Sequence, residues 1–530
     1  MHLGSWWVAF PGGELASPRP EAPEGEGEQD LSLPNIPDQH LGFHAPGAPK
    51  HPGFLAIFPS IMLPMFLAVV DQTIIATALP AIAAATGEVE RASWVVVSYL
   101  IAATIAAPVY GRLGDSFGRR RVMYFALGIF LVASVLCAAS TTILALTAAR
   151  VLQGLGGGGL MTLSQALVGE AIPPRERARY QGYLAAVAVC ANSFGPVAGG
   201  FLTEHFGWQS IFLINLPIGL VALYLVARLP PPQGERLAWR ADPGGAVLFT
   251  IFVATTLLAL EQVQRVDLAN LPLGGTLLAV GVVALVLLVW QENRAASPLI
   301  PLSLLRAIWH SDAMAACHGA ALVSLITFIP VYLEVVRGFS PSATGLVLVP
   351  LTIGIGIGSL VTGRLVNASG RLTIYPIVGM AIAMGDFLVL AVLADEFGIV
   401  ALAALLLVNG LAMGTVMGVV QVGVQNAAGQ MRLGEAAASV QFSRSIGAAF
   451  GTALVATTLF AVLSIRNPDA AQVFAAMFEH AKNAGAGLSA SQLLAIQGDI
   501  TIAFRAAFIA MALFTALGFL LALTNPQRRI

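Results

Sequence analysis

Charged residues are scarce in this chain of 530 residues. Asp, Glu, Lys and Arg make up 10% of it, against about 25% in ordinary soluble domains, while 57% of the residues are apolar. This balance excludes an ordinary soluble enzyme. The 27 basic and 28 acidic residues nearly cancel, so there is no basic excess to neutralise a phosphate backbone, and nucleic-acid binding is disfavoured.

Cysteine and the common catalytic motifs are also missing or rare. Cys137, Cys190 and Cys317 lie far apart in apolar runs, which fits neither a disulfide framework nor a metal site, and we expect them to be small core residues. The chain has no glycine-rich GK[ST] loop, no HExxH, no GxSxG and no carboxylate cluster. The sequence therefore predicts no enzyme activity, no ATP-driven transport, no metal and no cofactor.

Long apolar runs dominate from residue 53 onward. Each is long enough to cross the hydrocarbon core of a bilayer, which takes a helix of about 20 residues. The expected spans are 54–83, 93–113, 122–140, 143–169, 180–203, 208–229, 243–264, 271–291, 311–336, 342–366, 372–394, 398–424, 436–464 and 500–523. The sequence thus predicts an all-α integral membrane protein with 14 transmembrane helices.

Basic residues are distributed unevenly between the loops on the two sides of the membrane. With the N-terminus placed in the cytoplasm, the inner loops and the C-terminal tail carry 17 bases and the outer loops carry five. Because Lys and Arg are retained on the cytoplasmic side, we expect both termini to be cytoplasmic. The expected location is the plasma (inner) membrane.

Two segments outside the spans have their own character. Residues 1–52 are rich in Pro and acidic residues and are expected to form a disordered cytoplasmic tail. The alternative is that the start codon has been assigned too far upstream, so that this segment is not translated. The outer loop near 465–499 contains DAAQVFAAMFEHAKNA, whose spacing predicts a short amphipathic helix.

An internal repeat indicates two related halves. GRLGDSFGRR at 111–120 recurs as GRLVNASGRL at 363–372, which pairs span 2 with span 10. The sequence therefore predicts an N-terminal six-helix bundle over 53–229, a linker with inserted helices 7 and 8 over 230–309, and a C-terminal six-helix bundle over 310–530. Two facing bundles related by pseudo-symmetry are typical of transporters.

Span 1 contains VVDQTIIATALP at 69–80, with Asp71 and Thr73 inside it. A charge at that depth costs about 2.5–3.5 kcal/mol, and ionisable groups inside bilayers usually line a pathway. We favour a proton-binding role for Asp71 over a buried acid held by a structural partner.

Span 4 contains RVLQGLGGGG at 150–159, with Arg150 and Gln153. A buried arginine needs a partner or water, and bonds to neighbouring carbonyls are as good an explanation as a functional role. The glycines also match GxGxxG, but no strand precedes them, so a dinucleotide site is excluded.

The loop after span 2 combines glycines, an acid and arginines in GRLGDSFGRRR. The glycines permit a tight turn and close helix approach, and the acid is expected to pair with an arginine or to cap a helix N-terminus. A loop that only sets topology would explain the arginines but not the acid or the glycines. The candidate functional residues of this loop are Gly111, Arg112, Gly114, Asp115, Gly118, Arg119 and Arg120.

Span 5 contains FGPVAGG at 194–200. Gly195, Gly199 and Gly200 are expected to let helices approach closely, and Pro196 to bend the span.

The second half carries ionisable residues at membrane depth that are harder to assign. Asp386 and Arg444 are candidates for proton coupling or for the substrate cavity, and His318 is expected to donate a hydrogen bond inside a bundle. Glu334 is expected to pair with Arg337 because residues three apart share a helix face.

The motifs of span 1, of the loop after span 2, of span 4 and of span 5 follow one another in that order along the first half of the chain. Together they resemble the major facilitator superfamily, and within it the 14-span drug:proton antiporter family. QFSRSIGAAFG at 441–451 is similar to a family stretch in span 13, whereas Ala191 replaces a glycine expected ahead of FGPVAGG. The resemblance implies that Arg150 takes part in proton transfer and that FGPVAGG marks an exporter. It also implies that the residues named in GRLGDSFGRRR form an inner-loop gate, which latches the inner helix ends in one state.

The expected function is proton-coupled secondary active export (antiport) of small amphipathic compounds or drugs by alternating access, of the kind that gives multidrug efflux and antibiotic resistance. The proton gradient supplies the energy, and Asp71 is the leading proton site. The expected partners are the substrate, protons and the lipid bilayer, and a periplasmic adaptor is left open. The alternatives are a dedicated exporter of one metabolite, lipid or siderophore, and a membrane sensor or scaffold that does not transport.

Overall fold

The computed structural model describes residues 54–88, 91–229, 237, 242–264, 271–295, 297–478 and 490–529. The predicted N-terminal tail lies outside these residues. Within them the backbone forms helices and no strand. The helices are α1 (Phe54–Thr86), α2 (Trp94–Phe117), α3 (Arg119–Ala138), α4 (Ile143–Ala171), α5 (Pro174–Phe206), α6 (Ser210–Leu213), α7 (Asn215–Ala227), α8 (Pro243–Gln264), α9 (Leu271–Glu292), α10 (Leu302–Val331), α11 (Pro341–Ser369), α12 (Ile374–Leu393), α13 (Ile399–Gly414), α14 (Met417–Ala428), α15 (Leu433–Arg466), α16 (Pro468–Phe478) and α17 (Ala490–Thr524).

Fourteen of the described helical segments are long and apolar enough to cross a membrane, as the sequence predicts. Spans 1 to 5 are α1 to α5, span 6 is α6 with α7, spans 7 to 11 are α8 to α12, span 12 is α13 with α14, span 13 is α15 and span 14 is α17. We call the face where α2 ends and α3 begins the Arg-rich side, and the opposite face the far side. Hydropathy misses the polar ends of several helices on the Arg-rich side; α10, for example, begins at Leu302 instead of 311.

Each half of the chain has its own apolar core. The largest buried cluster joins spans 1 to 6 around residues such as Phe130 and Phe212, and a second joins spans 9 to 14 around Phe387 and Phe508. The outward faces of the spans are also apolar, with Leu144 75% exposed. Such a surface requires lipid around it.

The inserted hairpin of α8 and α9 packs beside both halves. Phe249 of α8 lies 5.2 Å from Phe442 of α15, measured between ring centroids. The same apolar cluster includes Ile105 and Val109 of α2. The hairpin therefore covers one side of the line along which span 2 meets span 13.

Two spans are interrupted where the local sequence breaks the backbone ladder. The helix of span 6 is interrupted at Ile214, because Pro217 has no N–H that could donate to the carbonyl of Leu213, four residues earlier. Span 9 ends in a π-helical turn, Tyr332–Val336, just after Pro330.

The short helix predicted in the outer loop is present as α16. The Asn467 side chain accepts hydrogen bonds from the backbone N–H groups of Asp469 and Ala470, which caps its N-terminus. Phe474 is buried against Phe460 and Phe504, with ring centroids 5.4 and 6.0 Å away. The helix is thus packed onto the second bundle.

Candidate functional site

Asp71 lies at the centre of a buried polar cluster inside the first bundle. Its Oδ2 accepts a hydrogen bond from the Arg150 guanidinium at 2.6 Å. Its Oδ1 accepts from the side-chain amides of Gln153 at 2.7 Å and Asn215 at 2.9 Å. The Asp71, Arg150 and Gln153 side chains are fully buried. The structure therefore brings three sequence-predicted residues together and adds Asn215 from span 6.

The guanidinium of Arg150 is completely occupied by neighbours. Its Nε donates to the backbone carbonyl of Val95 at 3.1 Å, and its Cζ lies 4.2 Å from the centroid of the Tyr99 ring. Nη1 also donates to Gln153 Oε1 at 2.8 Å. The predicted bond to a backbone carbonyl is present, and Asp71 is an additional acidic partner; a functional role for Arg150 stays a prediction.

Glycines in span 4 make this cluster geometrically feasible. A Cβ built at Gly154 would lie 2.5 Å from the carbonyl oxygen of Tyr99, and one at Gly156 would lie 2.8 Å from the backbone nitrogen of Phe130. Only glycine allows spans 2 and 3 to approach span 4 this closely. The GxGxxG pattern is thus a packing seam.

Asn215 is the cluster member that the sequence analysis missed. It is the first residue of α7, directly after the break in span 6. A signal was available, because a lone amide stands two residues before a proline in the otherwise apolar run IFLINLPIGL.

Thr73 does not join the Asp71 cluster. Its hydroxyl donates to carbonyls of its own helix, at 3.1 Å for Val70, and it faces Gly195 of span 5, where a Cβ would collide with it. Its neighbourhood is the seam between spans 1 and 5. Thr73 is thus separate from the Asp71 cluster, and its predicted place in proton coupling or in the substrate cavity stays a prediction.

The FGPVAGG motif forms part of that seam, with one exception. A Cβ at Gly199 would collide with the carbonyl oxygen of Ile74 and lie 2.5 Å from Thr77 Oγ1. A Cβ at Gly200 would meet nothing within 4 Å, and Pro196 is exposed. Gly195 and Gly199 therefore allow close approach as predicted, whereas the prediction for Gly200 is wrong because it faces away from span 1.

Asp115 connects the two bundles at the Arg-rich side. Its carboxylate accepts hydrogen bonds from the backbone N–H groups of Gly434 at 2.9 Å and Glu435 at 3.0 Å, which are the free donors at the start of span 13. It also pairs with Arg119 at 2.5 Å. Both roles predicted for the acid, an arginine partner and a helix cap, are present together.

Arg112 and Arg119 strengthen the same junction. Arg112 donates to Glu435 of span 13 and to Ser297 of the linker. Arg119 also pairs with Glu170 at 2.7 Å. Glu435 is a second functional residue that the sequence analysis missed, because the predicted span 13 began one residue after it.

The motif that carries these residues is helical, contrary to the predicted loop. Span 2 continues to Phe117 and span 3 starts at Arg119, so Gly118 alone forms the turn, with φ at 95°. A Cβ at Gly111 would lie 2.5 Å from the carbonyl oxygen of Gly434, and one at Gly114 would lie 2.7 Å from Leu163 Cδ2. The glycines therefore provide both the turn and the close approach.

Arg120 is not part of the gate. It donates to the backbone carbonyls of Leu229 and, at 2.8 Å, of Ala227, and so caps the end of span 6 within the first bundle. The second motif copy also contacts the first bundle: a Cβ at Gly363 would lie 2.5 Å from the carbonyl oxygen of Ala178, and Val366 packs in one apolar cluster with Ala178. Asn367 stands there in the position of Asp115.

The described hydrogen bonds between the bundles all lie toward the Arg-rich side. Span 5 meets span 12 through Arg177 and Asn426 at 3.1 Å, and Gln425 donates to the carbonyl of Gln165 at 2.9 Å. The bond farthest from that side joins Gln441 Nε2 to Met161 Sδ at 3.9 Å. The bundles are thus fastened together at one end.

Two buried carboxyls in the second bundle have neutral partners. Asp386 accepts from the Asn409 amide at 2.7 Å, and Asp312 accepts from the Ser439 hydroxyl. The second oxygen of each carboxyl is buried without a hydrogen bond among the described residues. The sequence analysis did not single out Asp312, although it is the second residue of the predicted span 9; the helix begins nine residues before 311, at Leu302, so Asp312 lies well inside it.

Arg444, the remaining candidate in the second bundle, lies apart from both carboxyls. Its side chain is partly exposed and makes no hydrogen bond, ion pair or ring contact with any residue that the structure describes. His318, on the adjacent span 9, donates to the Met413 carbonyl at 3.1 Å, as expected.

Two smaller predictions are wrong. Arg337 donates to the carbonyls of Ala394 and Phe397, the latter at 2.7 Å, instead of pairing with Glu334, because the π-helical turn rotates the two residues onto different faces. Cys190 is exposed, although Cys137 and Cys317 are buried as expected. Over the described residues, no group of His, Cys, Asp and Glu could hold a metal ion.

Comparisons with known proteins agree with this architecture. An uncharacterised MFS-type transporter of Mycobacterium tuberculosis is 37% identical over 75% of the chain, and the match spans 58% of that relative's length. The multidrug transporter protein MdtP of Bacillus subtilis is 30% identical over 78% of the chain and 75% of its own length. The solved structure of the human organic anion transporter MFSD10 (TETRAN) covers 89% of this chain and 100% of its own, with a TM-score of 0.63 and 14% identity, which shows the fold alone.

A family model assigns the chain directly. The model described as Major Facilitator Superfamily matches residues 61–452, which is most of the chain. The chain therefore belongs to the Major Facilitator Superfamily, and its described residues form 14 helices that are long and apolar enough to cross a membrane.

Proposed function

We propose that the protein is a proton-coupled exporter of small amphipathic compounds that works by alternating access in the plasma membrane, with the Arg-rich side in the cytoplasm. The observation that carries this proposal is the one-ended fastening of the bundles, from Asp115 and Arg112 up to Gln441. Rocking of two bundles about a central site is how this architecture transports. With the Arg-rich side inward, the described state is closed to the cytoplasm.

The hydrogen bonds between the bundles on the Arg-rich side are strong enough to stabilise the closed state, and they are few enough to be broken together. Hydrogen bonds to charged groups contribute about 1.5–3 kcal/mol each. Asp115 makes two such bonds to span 13, and Arg112 adds one to Glu435. The opening of the cytoplasmic side has to break these bonds together, so another event must favour the open state.

Proton binding is the proposed event, and Asp71 remains the leading site. In the described state its carboxylate has a full set of donors, so a proton competes with Arg150 and with two amides. In this proposal, proton uptake breaks the ion pair between Asp71 of span 1 and Arg150 of span 4 and so changes the packing inside the first bundle. Asp386 and Asp312 are further candidates, because either could hold a proton without breaking an ion pair.

The energy available is adequate for modest accumulation. One charge that moves down 100 mV releases about 2.3 kcal/mol, and each unit of pH gradient adds about 1.4 kcal/mol. The relative named as a multidrug transporter, MdtP, supports export of small compounds by this chain as well.

The test is substrate-dependent proton flux in proteoliposomes. The full chain is reconstituted with a pH gradient, and a panel of amphipathic dyes is added while an internal pH indicator is read. We expect some dyes to accelerate proton movement and to accumulate against their gradient. Proton flux that no dye alters would favour a sensor or scaffold, and flux with a single metabolite only would favour a dedicated exporter.

A further inference from the structure

Arg444 stands out among the membrane-embedded charges because nothing compensates it. The other deeply placed arginine, Arg150, is fully buried and has carboxylate, carbonyl and aromatic neighbours. Arg444 has no such neighbour among the described residues. An arginine at membrane depth is costly unless water or an anion meets it.

The direction of its side chain follows from its helix neighbours. Gln441, three residues earlier on α15, contacts Met161 of span 4, and Gly447, three residues later, lies against Ala316 of span 9. Successive residues turn by about 100°, so Arg444 points roughly midway between these two directions. It therefore faces the space between span 4 of the first bundle and span 9 of the second.

Its depth places it just beyond the closed end of that space. Arg444 lies 11 residues after Leu433, hence about 17 Å along α15 from the Arg-rich side. Two turns lower on nearly the same face, Ala437 is buried in a cluster with Ala166 of span 4. Gln441 makes the last described hydrogen bond between the bundles, and Arg444 makes no hydrogen bond or ion pair with a described residue of the first bundle. Arg444 thus lies at the floor of the inter-bundle space.

Neighbouring groups leave this position positively charged. Gln441 and Gln72 both donate to Met161 Sδ and are neutral, and no described carboxylate lies within 4.0 Å of Arg444. The Nδ1 atom of His318, whose residue is 4% exposed, is buried without a partner on the adjacent span 9. A cationic compound would meet repulsion here, whereas a carboxylate would meet a planar donor that suits it.

We infer that Arg444 binds an acidic group of the substrate, so that the transported compounds are amphipathic and carry a carboxylate or a comparable anion. This inference rests on the proposed function for its transport setting, but binding is a separate property. A guanidinium in this position would hold the anion while the apolar part of the compound lies along the spans above it.

Binding of two matched dyes tests the inference. Rhodamine 110 has a free carboxylate, and rhodamine 123 is its methyl ester, so the pair differs at the relevant group. With the full-length protein in lipid nanodiscs and no proton gradient, we expect rhodamine 110 to bind at least about tenfold more tightly than rhodamine 123. Arg444→Gln should remove that preference, and Arg444→Lys should retain part of it.

The control removes the same charge from the far end of the same helix. Arg466→Gln should leave both affinities unchanged, because Arg466 is exposed and pairs with Asp499 outside the inter-bundle space. Thermal unfolding of each variant checks that the fold is intact. Equal affinities for the two dyes, a preference that survives Arg444→Gln, or no saturable binding of rhodamine 110 would each overturn the inference.

Transport measurements separate this inference from the proposed function. Selective binding of rhodamine 110 without any proton-driven accumulation would leave the role of Arg444 intact and count against export. Proton-driven accumulation of both dyes, unaffected by Arg444→Gln, would leave export intact and refute the role of Arg444.

Discussion

At the scale of single residues, identical side chains have different roles because of what surrounds them. Asp71 is matched by a cation and two amides, whereas Asp386 has one amide and an unbonded oxygen. Position in the sequence does not reveal this difference, since both acids lie within apolar runs. The difference arises because Asp71 has a cationic partner on another helix and Asp386 has none among the described residues.

The first prediction separates a structural role of Asp71 from a coupling role. Asp71→Asn should lower stability by about 3–5 kcal/mol, because it leaves the Arg150 charge buried without its partner. It should also abolish uphill transport driven by a pH gradient. Adding Arg150→Gln removes the stranded charge and should restore much of the thermal stability, measured in the same detergent.

The double variant gives the decisive comparison. If Asp71 is the coupling acid, Asp71→Asn with Arg150→Gln remains unable to accumulate substrate despite its recovered stability. Uphill transport by that variant would move the coupling role elsewhere, and Asp386→Asn would then be expected to abolish it.

At the scale of helices, the glycine contacts determine which spans meet. The second prediction compares neighbouring glycines of span 5. Gly199→Leu should block transport and reduce the yield of folded protein, because Gly199 lies against the backbone of Ile74. Gly200→Leu should behave like the wild type, because no atom lies within 4 Å of the built Cβ. Similar dye efflux from both variants would show that the seam tolerates bulk.

The third prediction concerns the start of span 13. Gly434→Ala should push span 13 away from span 2 and displace Asp115 without removing any charge, because the added Cβ would collide with the carbonyl oxygen of Gly111 and lie 2.8 Å from Asp115 Oδ1. Spin labels on the exposed Arg121 and Arg364 positions, in a chain whose three cysteines are serines, report the separation of the bundles. We expect a larger population at long distance.

Gly385→Ala is the matched control, since that helical glycine has open space around it. It should leave the distance distribution unchanged. An unchanged distribution in Gly434→Ala as well would mean that the Asp115 cap does not hold the closed state.

The helices themselves could be predicted from hydropathy, because lipid demands long apolar runs whatever they pack against. The helix ends could not, since polar residues such as Arg306 and Glu435 continue a helix beyond the apolar run. The direction in which each residue of a helix points could not be predicted either. Gly199 and Gly200 are adjacent in FGPVAGG, yet Gly199 faces a neighbouring helix and Gly200 does not. Contacts between distant spans, such as Asn215 with Asp71, depend on the assembled bundle.

At the scale of the whole molecule, an even number of spans places both ends of the described chain on one side. The fourth prediction is that this is the cytoplasmic side, as the 17-to-5 distribution of bases indicates. A cysteine appended to the C-terminus, with the three native cysteines replaced by serine, should resist a membrane-impermeant maleimide in intact cells and react after permeabilisation. Reaction in intact cells would reverse the orientation and, with it, the proposed direction of opening.

The hairpin of α8 and α9 has a consequence for the surrounding lipid. It lies over the junction of spans 2 and 13, where Phe249 meets Phe442 beside Val109. When the two halves of a membrane protein tilt apart, lipid acyl chains can enter the crevice that opens between them. In the proposed cycle the apolar hairpin would lie across that crevice, and we expect it to separate the transport pathway from the lipid acyl chains on this flank.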